Sequence, residues 1–403
     1  MRRALCLALV ALLALNATAQ HEPDTQSLPG SRTIMDAHNC YPYYEWWHDR
    51  IDRALSAGTP LAIEQDLYWY TDTKTGNSWS IVAHGVPISG REPTMEHYFF
   101  DRVRPIVERA LKEGNQGDWP LITLNLDFKT EEPAHLKAVW ALLTKYQDWL
   151  TTAPKTSDAD KVQPLAVRPI LVLTGESDGQ QNVFFNDVPV GNQLLVFGAV
   201  HTNTKDPMAP PEVLEPSAAS NYRRWWNNPW GVVEKGGQQH AGEWTPASDE
   251  RLRLLVRHAH SLGLWIRFYT LDGASDKEES CNGWFRTYNF GSLGATQLRW
   301  RAAQKAGVDF IASDQYELLG SFLRSLADSA SIVDVEFFSQ SCQQCSLELH
   351  GANSTKRKGI RTGQYACHAD EQKATLGLLS EVRHCDWIPT IGALEWVTVA
   401  IAI

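Results

Sequence analysis

Short apolar runs of strand length alternate with longer amphipathic stretches along most of this chain. The runs at Thr33–His38, Leu61–Trp69, Leu121–Lys129, Pro169–Thr174, Leu194–Ala199, Leu264–Thr270 and Phe310–Asp314 read as strands of a buried parallel sheet. Between them, Tyr44–Ala57 carries Trp47, Ile51, Ala54 and Leu55 at helical spacing. His97–Lys112, Pro133–Leu150, Asp249–Leu262 and Gly294–Ala306 repeat that pattern. Gly58, Gly114, Gly263 and Gly307 stand just past such stretches, where helices commonly end on a left-handed residue. An eighth strand is expected within 221–247. Strand and helix alternation over residues 33–327 predicts an α/β domain, a (β/α)8 TIM-type barrel in preference to a doubly wound open sheet. No Gly-x-Gly-x-x-Gly follows the first run, which disfavours a dinucleotide-binding sheet.

In such a barrel the chemistry collects where strands end. The first run ends Asp36-Ala37-His38-Asn39, and the second contains Glu64-Gln65-Asp66. Strand side chains alternate, so Glu64 and Asp66 share a face, as do Asn125, Asp127 and Lys129 of the third run. Carboxylates stacked inside a barrel repel one another and lose hydration unless a cation or donors lie between them. Oxygen ligands from Glu64, Asp66 and Asp127 suit a hard divalent ion, Mg2+ or Ca2+. After a hairpin-like stretch with the insert Thr71 to Asn77, Ser80-Ile81-Val82-Ala83-His84 brings a second histidine to a strand end. His38 and His84 can serve as base and acid near neutral pH.

His38-Asn39, Glu64-x-Asp66, His84-Gly85-Val86-Pro87 and Asp127-Phe128-Lys129-Thr130 together resemble the catalytic run of the phospholipase C-like phosphodiesterase superfamily. The match is to its metal-dependent branch, the glycerophosphodiester phosphodiesterases and the sphingomyelinase D type of phospholipase. Leu264 to Asp272 and Gly307 to Asp314 are similar to that family's seventh and eighth strands. The resemblance implies a (β/α)8-type barrel that cleaves a phosphodiester, typically a phospholipid or glycerophosphodiester head group. It implies Glu64, Asp66 and Asp127 as metal ligands, His38 and His84 as the acid–base or nucleophile pair, and Lys129 on a phosphate oxygen. Asn39 departs from the glycerophosphodiesterase form, which carries Arg there. Asn39, Asn125, Glu176, Arg267 and Trp230 are the substrate-binding candidates.

Composition sharpens the picture at the margins. The formal net charge of −10 argues against a nucleic-acid partner, which calls for clustered Lys and Arg. Residues 1–20 read as an export signal: Arg2 and Arg3 precede an apolar run to Leu15, then Ala17-Thr18-Ala19. That run, about 12 residues, is short of the roughly 20 needed to span a bilayer, so a secreted or periplasmic protein without a retained anchor is expected. Cys6 leaves with the signal, and the other six cysteines are free to pair in an oxidising compartment, Cys40 with Cys281 being one candidate. From 328 to 403 the helix and strand rhythm is lost, and that stretch is read as a separate tail. Of the 16 Trp, Trp46, Trp47, Trp140 and Trp149 fall on helical patterns. Tyr222 to Trp230 and Trp244 lie in a long Pro-, Asn- and Gly-rich insert, where they pack the insert down or line a cleft. Two rivals are a glycoside hydrolase using Glu176 and Asp272, and a binding protein on the same scaffold. No Gly-x-Ser-x-Gly elbow supports a serine nucleophile.

Overall fold

A computed structural model describes residues 28–42, 48–114, 119–275 and 288–326. The export signal, the tail, Trp46, Trp47, Cys281 and the cysteines beyond it lie outside the described residues. Eight strands run parallel: β1 (Ile34–Ala37), β2 (Leu61–Thr71), β3 (Ile122–Phe128), β4 (Ile170–Thr174), β5 (Phe197–Ala199), β6 (Arg223–Pro229), β7 (Trp265–Tyr269) and β8 (Phe310–Ser313). Each pairs with its neighbour in sequence, and β1 pairs with both β2 and β8, so the sheet closes into a TIM barrel.

The alternation predicted from the sequence is realised with shifted ends. Helices α1 (Arg50–Ser56), α2 (Asp101–Glu113), α3 (Pro133–Lys145), α4 (Pro246–Ser261) and α5 (Leu293–Ala306) follow their strands, and short helical turns at Asp178–Gln181 and Pro211–Leu214 follow β4 and β5. Their ends have local causes. Thr245 and Ser292 each accept a backbone N–H three residues on, capping α4 and α5. Gly114 and Gly307 end α2 and α5 at φ of 64° and 81°, a conformation that strains a residue with a Cβ. The fifth strand is shorter than predicted because Gln193–Leu194 leaves the barrel to pair with Ala153–Pro154.

The sixth strand lies within 221–247, where an eighth strand is expected. Arg223–Pro229 is that eighth member of the barrel, so Tyr222 to Trp230, also read as part of a long insert, is barrel strand for most of its length. Its Arg, Asn and Pro content hides its bounds, because strand preference is set by burial and neighbours more than by residue type. Trp225 donates its ring N–H to the Thr174 carbonyl, 2.9 Å away, whereas Trp226 faces outward onto His258 of α4. Both rings are wholly buried. Partly buried Trp140 and Trp149 pack against the same core.

Besides the short pair of Gln193–Leu194 with Ala153–Pro154, Ser78–Val82 stands outside the ring. β2 is buried as far as Leu67 and half-exposed beyond, where its outer part pairs antiparallel with Ser78–Val82. The insert read at Thr71 to Asn77 is the turn of this arm, pinned where Asp72 Oδ1 accepts the Lys74 N–H at 2.7 Å. The arm delivers His84 to the mouth of the barrel.

Candidate active site

Parallel pairing of β2 with β3 sets Glu64 opposite Asn125 and Asp66 opposite Asp127. The alternation of side chains then turns all four toward the strand-end mouth. Glu64, Asp66 and Asp127 each offer one carboxylate oxygen, and the three oxygens lie within 4.8 Å of one another. Asp66 is wholly buried, and neither of its oxygens has a hydrogen-bond partner. Burial pushes its carboxyl well above the usual range, which Lys129 at 3.2 Å only partly opposes. Orphaned buried oxygens beside two further carboxylates are the donor set a hard divalent cation takes, so Mg2+ or Ca2+ fits these residues.

Lys129, the next inward-facing residue after Asp127, places Nζ 2.7 Å from Asp127 Oδ2. Burial would lower its pKa, but Asp66 and Asp127 outweigh that and keep the ammonium charged. His38 ends β1. Its Nδ1 lies 2.9 Å from Asp314 Oδ1, and its Nε2 lies 3.5 Å from Glu64 Oε1. A carboxylate can only accept, so Nδ1 carries the proton and Nε2 is the working nitrogen. Burial alone would lower the His38 pKa, but Glu64 and Asp314 outweigh it and raise it to about 9. Conversely, burial would raise Glu64, but His38, Arg267 and Lys129 hold it at about 2. His84 stands exposed at the end of the arm, its ring 5.8 Å from that of Tyr41, with its pKa lowered by burial of part of the ring and by Lys129.

The substrate-binding candidates divide. Glu176 lines both cavities at the mouth, one of about 420 Å³ bordered by Asp127, Glu131 and His201, the other of about 340 Å³ bordered by Lys205, Asn227 and Tyr269. Asn39, Asn125 and Arg267 line neither and instead brace carboxylates. Asn39 sits at φ 52°, a left-handed turn that Asn tolerates, and donates its amide to both Asp314 oxygens at 3.3 and 3.2 Å. Asn125 donates to Glu64 Oε2 at 3.2 Å. Arg267 forks between Asp36 and Glu64 and reaches Asn227 Oδ1 at 3.0 Å. Trp230, expected at the rim, is wholly buried: its ring N–H bonds Glu234 Oε2 at 2.8 Å, and Arg299 holds the same carboxylate. An Arg-Glu-Trp arrangement so enclosed packs the loop after β6 rather than meeting substrate.

The carboxylates of the glycosidase rival are not brought together at a cavity. Asp272 is buried, with Oδ1 accepting from Ser313 Oγ at 2.6 Å and from the Asp314 N–H at 2.8 Å. Burial, then the Asp314 carboxylate, raises its pKa to about 8. A carboxyl that keeps its proton to higher pH when folded contributes stability at low pH and loses it as pH rises from the unfolded value toward about 8. Denaturant midpoints measured from pH 4 to 9 are therefore expected to fall less steeply for Asp272→Asn than for the unmodified chain. Parallel curves would contradict the assignment.

Sequence reasoning missed three members of the site. Asp314 was visible only as the end of the eighth run; its pairing with His38 spans 276 positions. Tyr269 stacks parallel to the His38 ring at 6.3 Å, and Tyr288 meets it edge-on at 6.0 Å. Tyrosines in a strand and a loop carry no spacing signal. Cys40 is a buried free thiol.

Among the described residues no helix is long and apolar enough to cross a membrane. No protein-family model matches the chain, and no curated protein does. Among solved structures, the chain is similar to a glycerophosphodiester phosphodiesterase from Parabacteroides distasonis, with 14% identity, 73% of this chain and 98% of that chain covered, and a TM-score of 0.40. A glycerophosphodiester phosphodiesterase from Agrobacterium tumefaciens gives 15% identity, 73% and 100% coverage and a TM-score of 0.34. Plasmodium falciparum HPPK-DHPS with pterin and p-hydroxybenzoate gives 11% identity, 75% and 49% coverage and a TM-score of 0.41.

Proposed function

We propose that this chain is a metal-dependent phosphoric diester hydrolase. The observation that carries the reading is the convergence of Glu64, Asp66 and Asp127 at the mouth of the barrel, with His38 and Lys129 beside them. A divalent cation held by these carboxylates would neutralise a phosphodiester anion and stabilise the charge that grows on it in the transition state. Lys129, whose ammonium lies beside Asp127, would meet a phosphate oxygen. His38, fixed by Asp314 through Nδ1, gives or takes a proton at Nε2, and His84 at the arm's end is the second proton carrier. Glu176, between the two cavities, faces the organic parts of the substrate. The diester is a phospholipid or glycerophosphodiester head group, and export of the chain would place that chemistry outside the cytoplasm.

The purified chain is expected to hydrolyse bis(p-nitrophenyl) phosphate and a lysophospholipid with Mg2+ or Ca2+ present. Excess chelator should abolish turnover and added metal should restore it. Phosphorus NMR of the product separates a monoester from a cyclic phosphate, which forms if a substrate hydroxyl attacks. Cleavage of aryl glycosides in chelator, with both diesters untouched, would overturn the reading.

A further inference from the structure

His135 stands in the first turn of α3 and is wholly buried, although nothing in the proposed reaction uses it. Its Nδ1 lies 3.0 Å from the Thr130 carbonyl oxygen, which can only accept, so Nδ1 carries a proton. Thr130 Oγ1 lies 3.1 Å from the same nitrogen. Nε2 is then the acceptor of a neutral ring, and Ser80 Oγ is 2.8 Å away to donate to it. Trp69 stacks on one face at 5.3 Å and Phe128 meets the ring edge-on at 5.2 Å. This apolar housing favours the uncharged form.

Three segments meet on that ring. Ser80 lies on the outer strand of the arm, directly opposite Trp69 of β2. Thr130 follows β3, where regular pairing has ended, and its hydroxyl accepts the Trp69 N–H at 2.8 Å in place of a ladder bond. Lys129, immediately before Thr130, donates its own N–H to Leu67 at 2.9 Å. The arm leads on to His84, and the end of β3 carries Asp127 and Lys129. Those two pieces of chain are otherwise separate strands on either side of β2.

We propose that His135 is a positioning residue that locks the arm bearing His84 to the strand end bearing Asp127 and Lys129. Its kinetic consequence rests on the diesterase reading; its structural consequence does not. His135→Phe keeps aromatic bulk between Trp69 and Phe128 and removes both hydrogen bonds. Because displacements of about 1 Å cost up to ~100-fold in rate, kcat for bis(p-nitrophenyl) phosphate should fall about 10- to 100-fold, with KM changed less than about 3-fold. His135→Asn, whose amide can still donate to Thr130 but no longer accepts from Ser80, should match Ser80→Ala, each losing roughly 3- to 10-fold and less than His135→Phe. Amide exchange should quicken about 10-fold in peptides covering Ser78–His84 and Asp127–Thr130, and stay unchanged in β5 to β8. Exchange that is unchanged, or that rises evenly around the barrel, overturns the proposal, as does a folded His135→Phe with kcat within about 2-fold of the unmodified chain. If His135→Phe does not fold, Ser80→Ala carries both readouts. If the unmodified chain cleaves no diester, the functional reading fails, and localised exchange alone decides the positioning role.

Discussion

Replacing His38 by Gln is expected to lower kcat for bis(p-nitrophenyl) phosphate by about 10³-fold, within the range proton transfer by a placed side chain contributes. The glutamine amide can still hydrogen-bond but cannot carry a proton between substrate and solvent. His38 is the better placed of the two histidines for this loss to be large, because its ring is fixed on several sides. Asp314 holds Nδ1 at 2.9 Å, Tyr269 stacks against the ring, and Tyr316 donates to the His38 carbonyl at 2.6 Å. Asp314→Asn keeps an acceptor near Nδ1 but loses the charge that stabilises the protonated ring, so it should cost about 10- to 100-fold. Initial rates at saturating metal, with circular dichroism to confirm folding, give the order His38→Gln, then Asp314→Asn, then the unmodified chain. A His38→Gln protein keeping more than about a tenth of the activity would remove His38 from the proton path.

Asp66→Asn has the second large expected effect, and its sign differs between two conditions. With chelator present, Asp66 is a wholly buried carboxylate whose two oxygens lack hydrogen-bond partners. Lys129 at 3.2 Å offsets only part of the lost hydration. The neutral amide should therefore stabilise the metal-free chain by about 1–3 kcal/mol, or about 2 °C or more in melting temperature. With metal present the order reverses. The unmodified chain should gain about 2.7 kcal/mol at metal one hundred times its Kd, whereas Asp66→Asn, missing its central ligand, should not respond. Scanning calorimetry of both proteins with and without Mg2+, at about one hundred times its Kd for the unmodified chain, reads all four states. Equal responses to metal in the two proteins would exclude Asp66 as a ligand.

The part of the site legible in the sequence follows one rule. Glu64 with Asp66, and Asn125 with Asp127 and Lys129, alternate along two runs too apolar to be anything but buried strands. Parallel pairing sets the two rows side by side, with Glu64 opposite Asn125 and Asp66 opposite Asp127. Contacts that depend on closing the ring were not legible. Arg267 looks like a rim cation until β7 comes round to Asp36 and Glu64, 231 and 203 positions away. The bounds of β6 within 221–247 were obscured for a related reason: Arg223-Arg224-Trp225-Trp226-Asn227-Asn228-Pro229 has no strand-like alternation. Its burial comes from β5 and β7 on either side and from α4 outside. Trp230 fell with it, because an Arg or Trp beside Asn and Pro reads as exposed unless its buried partner, here Glu234, is known.

The bond between His38 and Asp314 joins the first barrel strand to the residue just past the last. Biosynthesis therefore makes the imidazole early and its partner some 276 residues later. A ribosome-bound chain that has emerged only through β7 holds all three acidic ligand candidates, both histidines and the Tyr269 ring, yet lacks the Asp314 carboxylate that fixes Nδ1 of His38. Contacts so distant in sequence form late, since their loop-closure entropy is repaid only when the intervening strands are in place. Turnover is thus a reporter of ring closure. In a refolding experiment it should return with the slowest phase, after the secondary structure of the earlier strands has recovered.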